Sequence, residues 1–182
     1  ESERETEREK DGIYMLHRKV RKCFTHENEN HQLTTMPYAD HQGVHIHYEV
    51  EGKGSPLVLL HGLGHSLRDW YDLGYVEPLE KNHRLILVDV RGHGLSDKPH
   101  DSKMYTMKLL VSDVVTVLDD LKISRAHFLG YSRGGRICFG IAKYAPERIR
   151  SLMVGGTHPY EKNTADEQAF INFLLQLWKK GA

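Results

Sequence analysis

Apolar and polar residues change rhythm several times along this chain, and each change marks an element. From Val44 to Val50 the residues Val44, Ile46, Tyr48 and Val50 alternate with His45, His47 and Glu49. That two-residue period predicts a half-exposed strand with the histidines and the glutamate facing outward. Glu51-Gly52-Lys53-Gly54 turns the chain, and Ser55-Pro56-Leu57-Val58-Leu59-Leu60 then runs apolar without interruption. Arg84 to Val90 reads in the same way, and Ala126 to Leu129 and Ser151 to Val154 are further short strands, the last expected at an open, apolar sheet edge. The runs 55–60 and 84–90 predict strands buried on both faces. The strands are expected near 44–50, 56–60, 84–90, 126–131 and 151–155.

Between these runs the spacing lengthens to three and four residues. Residues 66–81 suggest a helix with Leu67, Trp70, Leu73 and Leu79 toward the core. A second helix, near 106–121, opens at Thr106, whose hydroxyl suits an N-cap. Met107, Leu110, Val111, Val114, Val115 and Leu118 line one face of it. A third, near 134–145, buries Ile137, Cys138, Ile141, Ala142 and Ala145 and stops at Pro146. Strands alternating with helices of these lengths imply right-handed crossovers. The fold class is therefore α/β, a mainly parallel sheet with helices on both faces.

The two ends read differently. Residues 1–36 open with a mixed-charge run, Glu1 to Asp11, followed by a His- and Asn-rich stretch with little apolar content. Such a segment is expected to be a disordered extension, with Met36 as a natural start. Residues 37–160 hold the core, and within 161–182 Asp166 to Lys180 has the pattern of an amphipathic helix.

Composition narrows the function classes. Lys plus Arg and Asp plus Glu are equal at 25 each, so no basic field favours nucleic acid. The two cysteines, Cys23 and Cys138, form no disulfide framework. No run approaches the length of a membrane-spanning helix, so a reducing, cytoplasmic setting without membrane contact is the expectation. Gly62, Gly64, Gly92 and Gly94 do not form a dinucleotide fingerprint. His45 with His47, and His61 with His65, lack a third ligand at a recognisable spacing. Neither a cofactor nor a metal is expected.

The chemistry concentrates in Gly130-Tyr131-Ser132-Arg133-Gly134, a G-x-S-x-G sequence between an apolar strand and a helix pattern. A serine at such a corner stands clear of the sheet, and the glycines let the strand and helix backbones approach. The helix behind it directs its N-terminal amides toward the serine. Two other loops follow predicted strands: His61-Gly62-Leu63-Gly64, and Asp89-Val90-Arg91-Gly92-His93-Gly94-Leu95-Ser96 leading to Pro99.

These three motifs, in this order, resemble the α/β-hydrolase family from about Pro37 to Tyr160. The resemblance implies an enzyme of the serine-nucleophile branch. Ser132 would be the nucleophile, and the backbone amides of Leu63 and Arg133 would form the oxyanion hole. Dehalogenases and epoxide hydrolases of this fold carry an aspartate at the elbow. Gly64 also stands where epoxide hydrolases have proline. Ser132 therefore implies a small-molecule acyl substrate such as an ester, thioester, lactone or related carbonyl compound. Arg133 could attract an anionic substrate, but a solvated charge is the reading favoured by its position alone.

The resemblance also implies an acid and a histidine further along the chain. His158 is the only histidine after Ser132, and it follows the very next strand, so it is a weak base candidate. It reads better as a loop residue at the pocket rim. Residues 161–182 would begin a cap, and the chain has the look of a C-terminally truncated member completed by a further segment. Two function classes stay open: a serine hydrolase that needs that segment, or a non-catalytic fragment or interaction module.

Overall fold

The structure, a computed structural model, describes residues 37–159 and, before them, the short segments 26–27 and 33–34. The expected helix within 161–182 and most of the expected disordered extension lie outside the described residues. Inside that extension, β1 (His26–Glu27) pairs antiparallel with β2 (Leu33–Thr34).

The main sheet has six strands: β3 (Tyr38–His41), β4 (Val44–Glu51), β5 (Ser55–Leu60), β6 (His83–Val88), β7 (Ala126–Tyr131) and β8 (Ile149–Gly155). Their order across the sheet is β3-β4-β6-β5-β7-β8. The pairs β6–β5, β5–β7 and β7–β8 are parallel, while β3–β4 and β4–β6 are antiparallel. The mainly parallel sheet read from the sequence is present, with β3 as an edge strand that the sequence pattern did not reveal. From β5 the chain crosses to β6 on one side, and the later strands β7 and β8 lie on the other. That reversal makes a crevice at the carboxyl ends of β5 and β7, where open α/β sheets bind ligands.

The continuous apolar runs feed two cores. Val58, Leu60, Ile86, Val88 and Phe128 pack on one face with Leu110, Val114, Val117, Leu118, Ile137 and Ile141. Leu57, Leu59, Leu85 and Leu87 pack on the other with Leu67, Trp70 and Val76. Alternate residues of β5 and β6 thus enter opposite layers. The first layer is built by α3 (Met107–Asp120) and α4 (Arg133–Tyr144), the second by α1 (Arg68–Asp72) and α2 (Val76–Leu79). None of the helices among the described residues is long and apolar enough to cross a membrane.

Helix ends follow local chemistry. Thr106 caps α3 as expected, its hydroxyl accepting from the Leu109 amide at 3.4 Å. The helix expected over 66–81 is instead two short ones. Gly74, at φ 73°, lets the Gly74 amide donate to Tyr71 O and the Tyr75 amide to Trp70 O, which closes α1. Leu73, expected in the core, sits at that closed end and is 69% exposed. Ala142 on α4 is exposed as well, and Gly140 is buried instead. A Cβ on Gly140 would lie 2.8 Å from the Met107 sulfur, so glycine permits the close α3–α4 approach.

One charged cluster lies inside this scaffold. The Arg91 guanidinium, 1% exposed, donates twice to Asp113, at 2.9 Å from Nε and 2.6 Å from an amino group, and once to Met104 O. His41 on β3 donates to the same Asp113 carboxylate at 2.6 Å. Asp113 sits on the inner face of α3, so it ties that helix to the edge strand and to the loop after β6. Asp113→Ala would leave a buried guanidinium without its counter-ion. It is expected to cost about 3–5 kcal/mol, read as a lowered urea midpoint. Replacing both partners, Arg91→Met with Asp113→Leu, should recover much of that loss.

Candidate active site

Ser132 lies between the last residue of β7 and the first of α4, with φ 52° and ψ −111°. A non-glycine residue there is strained by about 1–3 kcal/mol, and surrounding contacts must hold it. The Ser132 amide donates to Gly155 O at 2.8 Å, and its carbonyl accepts from the Arg136 amide at 3.1 Å. Glycines supply the space. A Cβ on Gly130 would lie 2.5 Å from Gly134 O, and one on Gly134 would sit on the Leu60 carbonyl. The strand, the turn and the helix therefore approach as the G-x-S-x-G spacing requires.

The loop after β5 faces this corner. A Cβ on Gly62 would lie 3.7 Å from the Ser132 Cβ and 3.4 Å from the His65 ring. Leu63, the next residue, has a half-exposed side chain. Among the described residues, neither the Leu63 amide nor the Arg133 amide donates to an acceptor. The Arg133 amide belongs to the first turn of α4, whose amides have no partner within the helix.

His61 fixes the shape of this loop. Its Nε2 accepts from the Val90 amide at 3.0 Å, so Nδ1 carries the proton and donates to Gly62 O at 2.8 Å. Burial pushes its pKa down to about 4, against a smaller upward pull from the Gly62 hydrogen bond. His93 stacks against it at 5.3 Å between centroids. Its Nδ1 donates to Arg91 O, and burial also lowers its pKa.

Asp89 anchors both loops and β4. One carboxylate oxygen accepts from the Leu67 amide at 2.8 Å; the other accepts from the Leu95 amide at 2.9 Å and from His47 Nδ1 at 2.8 Å. Burial alone would raise its pKa, but these donors outweigh burial and hold it below the usual carboxylate value. A Cβ on Gly94, at φ 49°, would overlap the Asp89 carboxyl, so this turn admits only glycine. The outward histidine read at position 47 is thereby corrected: His47 is 1% exposed, because its ring reaches inward to Asp89. His45 keeps an outer place and pairs with Asp97 at 2.8 Å. Among the described residues no three His, Cys, Asp or Glu side chains are grouped to hold a metal.

Residues 55–181 match the model of the alpha/beta hydrolase fold family. The chain belongs to this family. It is 36% identical over 116 residues to a 2-hydroxymuconate semialdehyde hydrolase of Pseudomonas sp. (strain CF600), covering 63% of this chain and 41% of that protein. It is 33% identical over 112 residues to a bifunctional epoxide hydrolase 2 of Sus scrofa, covering 60% of this chain and 20% of that protein. Among solved structures, the enol-lactonase of Burkholderia xenovorans LB400 aligns with a TM-score of 0.59 and 36% identity. That alignment covers 64% of this chain and 45% of the lactonase. The chain thus spans less than half the length of these relatives.

His65, read as a loop residue, pairs through Nδ1 with Asp69, one helical turn later, at the exposed rim close to Gly62. Only the i, i+4 spacing signals that pair. His158 borders a groove with Arg136, Phe139, Lys143 and Tyr144, one to three turns along α4 from Ser132. Beneath the elbow lies Cys138, whose sulfur would be 2.7 Å from a Cβ on Gly130. Burial pushes that thiol up to about 12.

The His61 assignment carries a pH signature. An unfolded chain would protonate this histidine near 6.5, whereas the folded one holds it neutral to about pH 4. His61 therefore contributes stability that is complete above pH 6.5 and is lost as pH falls from 6.5 toward 4. Over that full window the loss corresponds to about 3 kcal/mol. Histidine ring shifts followed by NMR should show one residue that stays neutral at pH 5. A His61 that titrates near 6.5 would contradict the assignment.

Proposed function

We propose that this chain carries the nucleophile and the oxyanion hole of a serine acyl hydrolase. The observation that carries the reading is the strained Ser132 at the crevice between β5 and β7. Its hydroxyl would attack an acyl carbonyl. The Leu63 and Arg133 amides would receive the negative charge that develops on the carbonyl oxygen, a contribution typically worth orders of magnitude in rate. Both amides are without an acceptor among the described residues, which suits that role. Relatives named for a semialdehyde and an enol-lactone support a small carbonyl substrate. Relatives named for epoxides are at odds with it, and the serine at the elbow favours the acyl reading.

Ser132 also needs a base, because a hydroxyl alone does not lose its proton near neutral pH. His158 groups with residues farther along α4, so it stays the weaker candidate. The acid and histidine are better supplied by a segment that completes the fold. That requirement supports a second reading, in which these 182 residues by themselves are a non-catalytic piece.

Fluorophosphonate labelling separates the two. The 182-residue chain is expected to label slowly and to show little ester turnover. A longer form that includes the completing segment should label strongly, roughly ten-thousand-fold faster or more. Ser132→Ala should abolish that labelling. Robust turnover by the short chain, lost in His158→Ala, would overturn this assignment of the base.

A further inference from the structure

Arg133 follows the nucleophile directly, and its side chain is only partly exposed. Its Nε is buried and has no hydrogen-bond partner. Burial is also what chiefly lowers its pKa, with Tyr105 opposing and Arg136 adding to the effect. A guanidinium keeps its charge in such surroundings, so enclosing it without an anion is costly.

The fully buried arginine of this fold shows what is done when a guanidinium is structural. Arg91 has a bidentate carboxylate and a carbonyl. Arg133 has neither: among the described residues no carboxylate pairs with it. The groups that feel its charge are His93, Tyr105 and Arg136. Tyr105 already donates its hydroxyl proton to Pro99 O, and burial favours the neutral form of His93. None of these three supplies a negative charge near pH 7.

The geometry points to Arg133 as a specificity residue that receives an anionic group of the substrate, a carboxylate a few bonds from the scissile carbonyl. This rests on the serine acyl hydrolase reading for the identity of the scissile group. The short separation follows from the chain itself, since the residue whose amide lines the oxyanion hole also carries the guanidinium. A planar carboxylate can accept both the Nε proton and a terminal amino proton in a fork. A neutral ester or amide carbonyl can accept one such proton but brings neither the fork nor the charge that offsets the guanidinium.

The test uses the 182-residue chain at low ionic strength, with succinamate as the anionic probe and succinamide as its neutral isostere. Succinamate should shift the Arg133 Nε–H NMR signal saturably, and succinamide should not. Arg133→Gln should weaken succinamate binding about 10- to 100-fold, as expected for lost charge-assisted hydrogen bonds. Arg133→Lys, which retains the charge without the fork, should lie between. Ser132→Ala should still bind succinamate, because recognition of the anion does not use the hydroxyl. An Arg133 signal that ignores succinamate, or responds equally to both probes, overturns the proposal. Succinamate binding by a chain whose completed form does not label at Ser132 would sink the hydrolase reading and leave the anion site standing.

Discussion

A carboxylate placed where water cannot reach it must be satisfied by protein donors, and Asp89 is satisfied by three segments at once. His47 belongs to β4, Leu67 to the approach to α1, and Leu95 to the turn after β6. The cost of removing that charge from water is offset only while all three stay in place. Their positions then dictate the rest. With Leu67 held, the loop from His61 onward has little freedom, and the His61 ring closes it by bridging the Val90 amide and Gly62 O. With Leu95 held, Gly94 has no room for a side chain. The face presented to Ser132 is thus arranged by a residue that takes no part in the proposed chemistry.

Much of this architecture was legible in the sequence, and what was not has a common cause. Strands β5 and β6 announced themselves because burial on both faces demands continuous apolar runs, whereas β8, an edge strand with Met153 45% exposed, showed only as a short one. The elbow was legible because Gly130 and Gly134 can be nothing larger. Polar residues that face inward were not. His47 occupies a polar place in a clean alternation, and only its distant partner Asp89 explains its burial. Asp113 likewise interrupts an apolar helix face, and its partner Arg91 is 22 residues away in the chain. Such pairs carry no periodic signal. The break at Gly74 escaped notice because Leu67, Trp70 and Leu73 keep helical spacing up to it, although the backbone reverses there.

The candidate site shows the same division. Position and shape follow from topology: strand order reverses between β5 and β7, and both loops lie at that reversal. Ser132 holds its strained backbone because the sheet end at Gly155 and the first turn of α4 both bind it. The environment of Arg133 could not be read from its neighbours in sequence. A charged residue at the start of a helix normally reaches water, and here its Nε does not. Membership of the alpha/beta hydrolase fold family accounts for the corner and its loops. Relatives with several different named activities align with this chain, so the pocket chemistry has to be argued from side chains such as this one.

Cys138 and Ser132 set two potential nucleophiles close together, with an outcome opposite to their intrinsic reactivity. A thiol outcompetes an alcohol for most electrophiles, but only as thiolate and only where the reagent can arrive. Beneath the elbow neither condition holds, since the sulfur is walled in by the glycine junction and its proton is retained to about pH 12. Ser132 at the corner is partly exposed, whereas Cys138 is fully buried. Under the proposed acyl chemistry, selectivity between the two is therefore a matter of elevation: the weaker nucleophile is the less buried one.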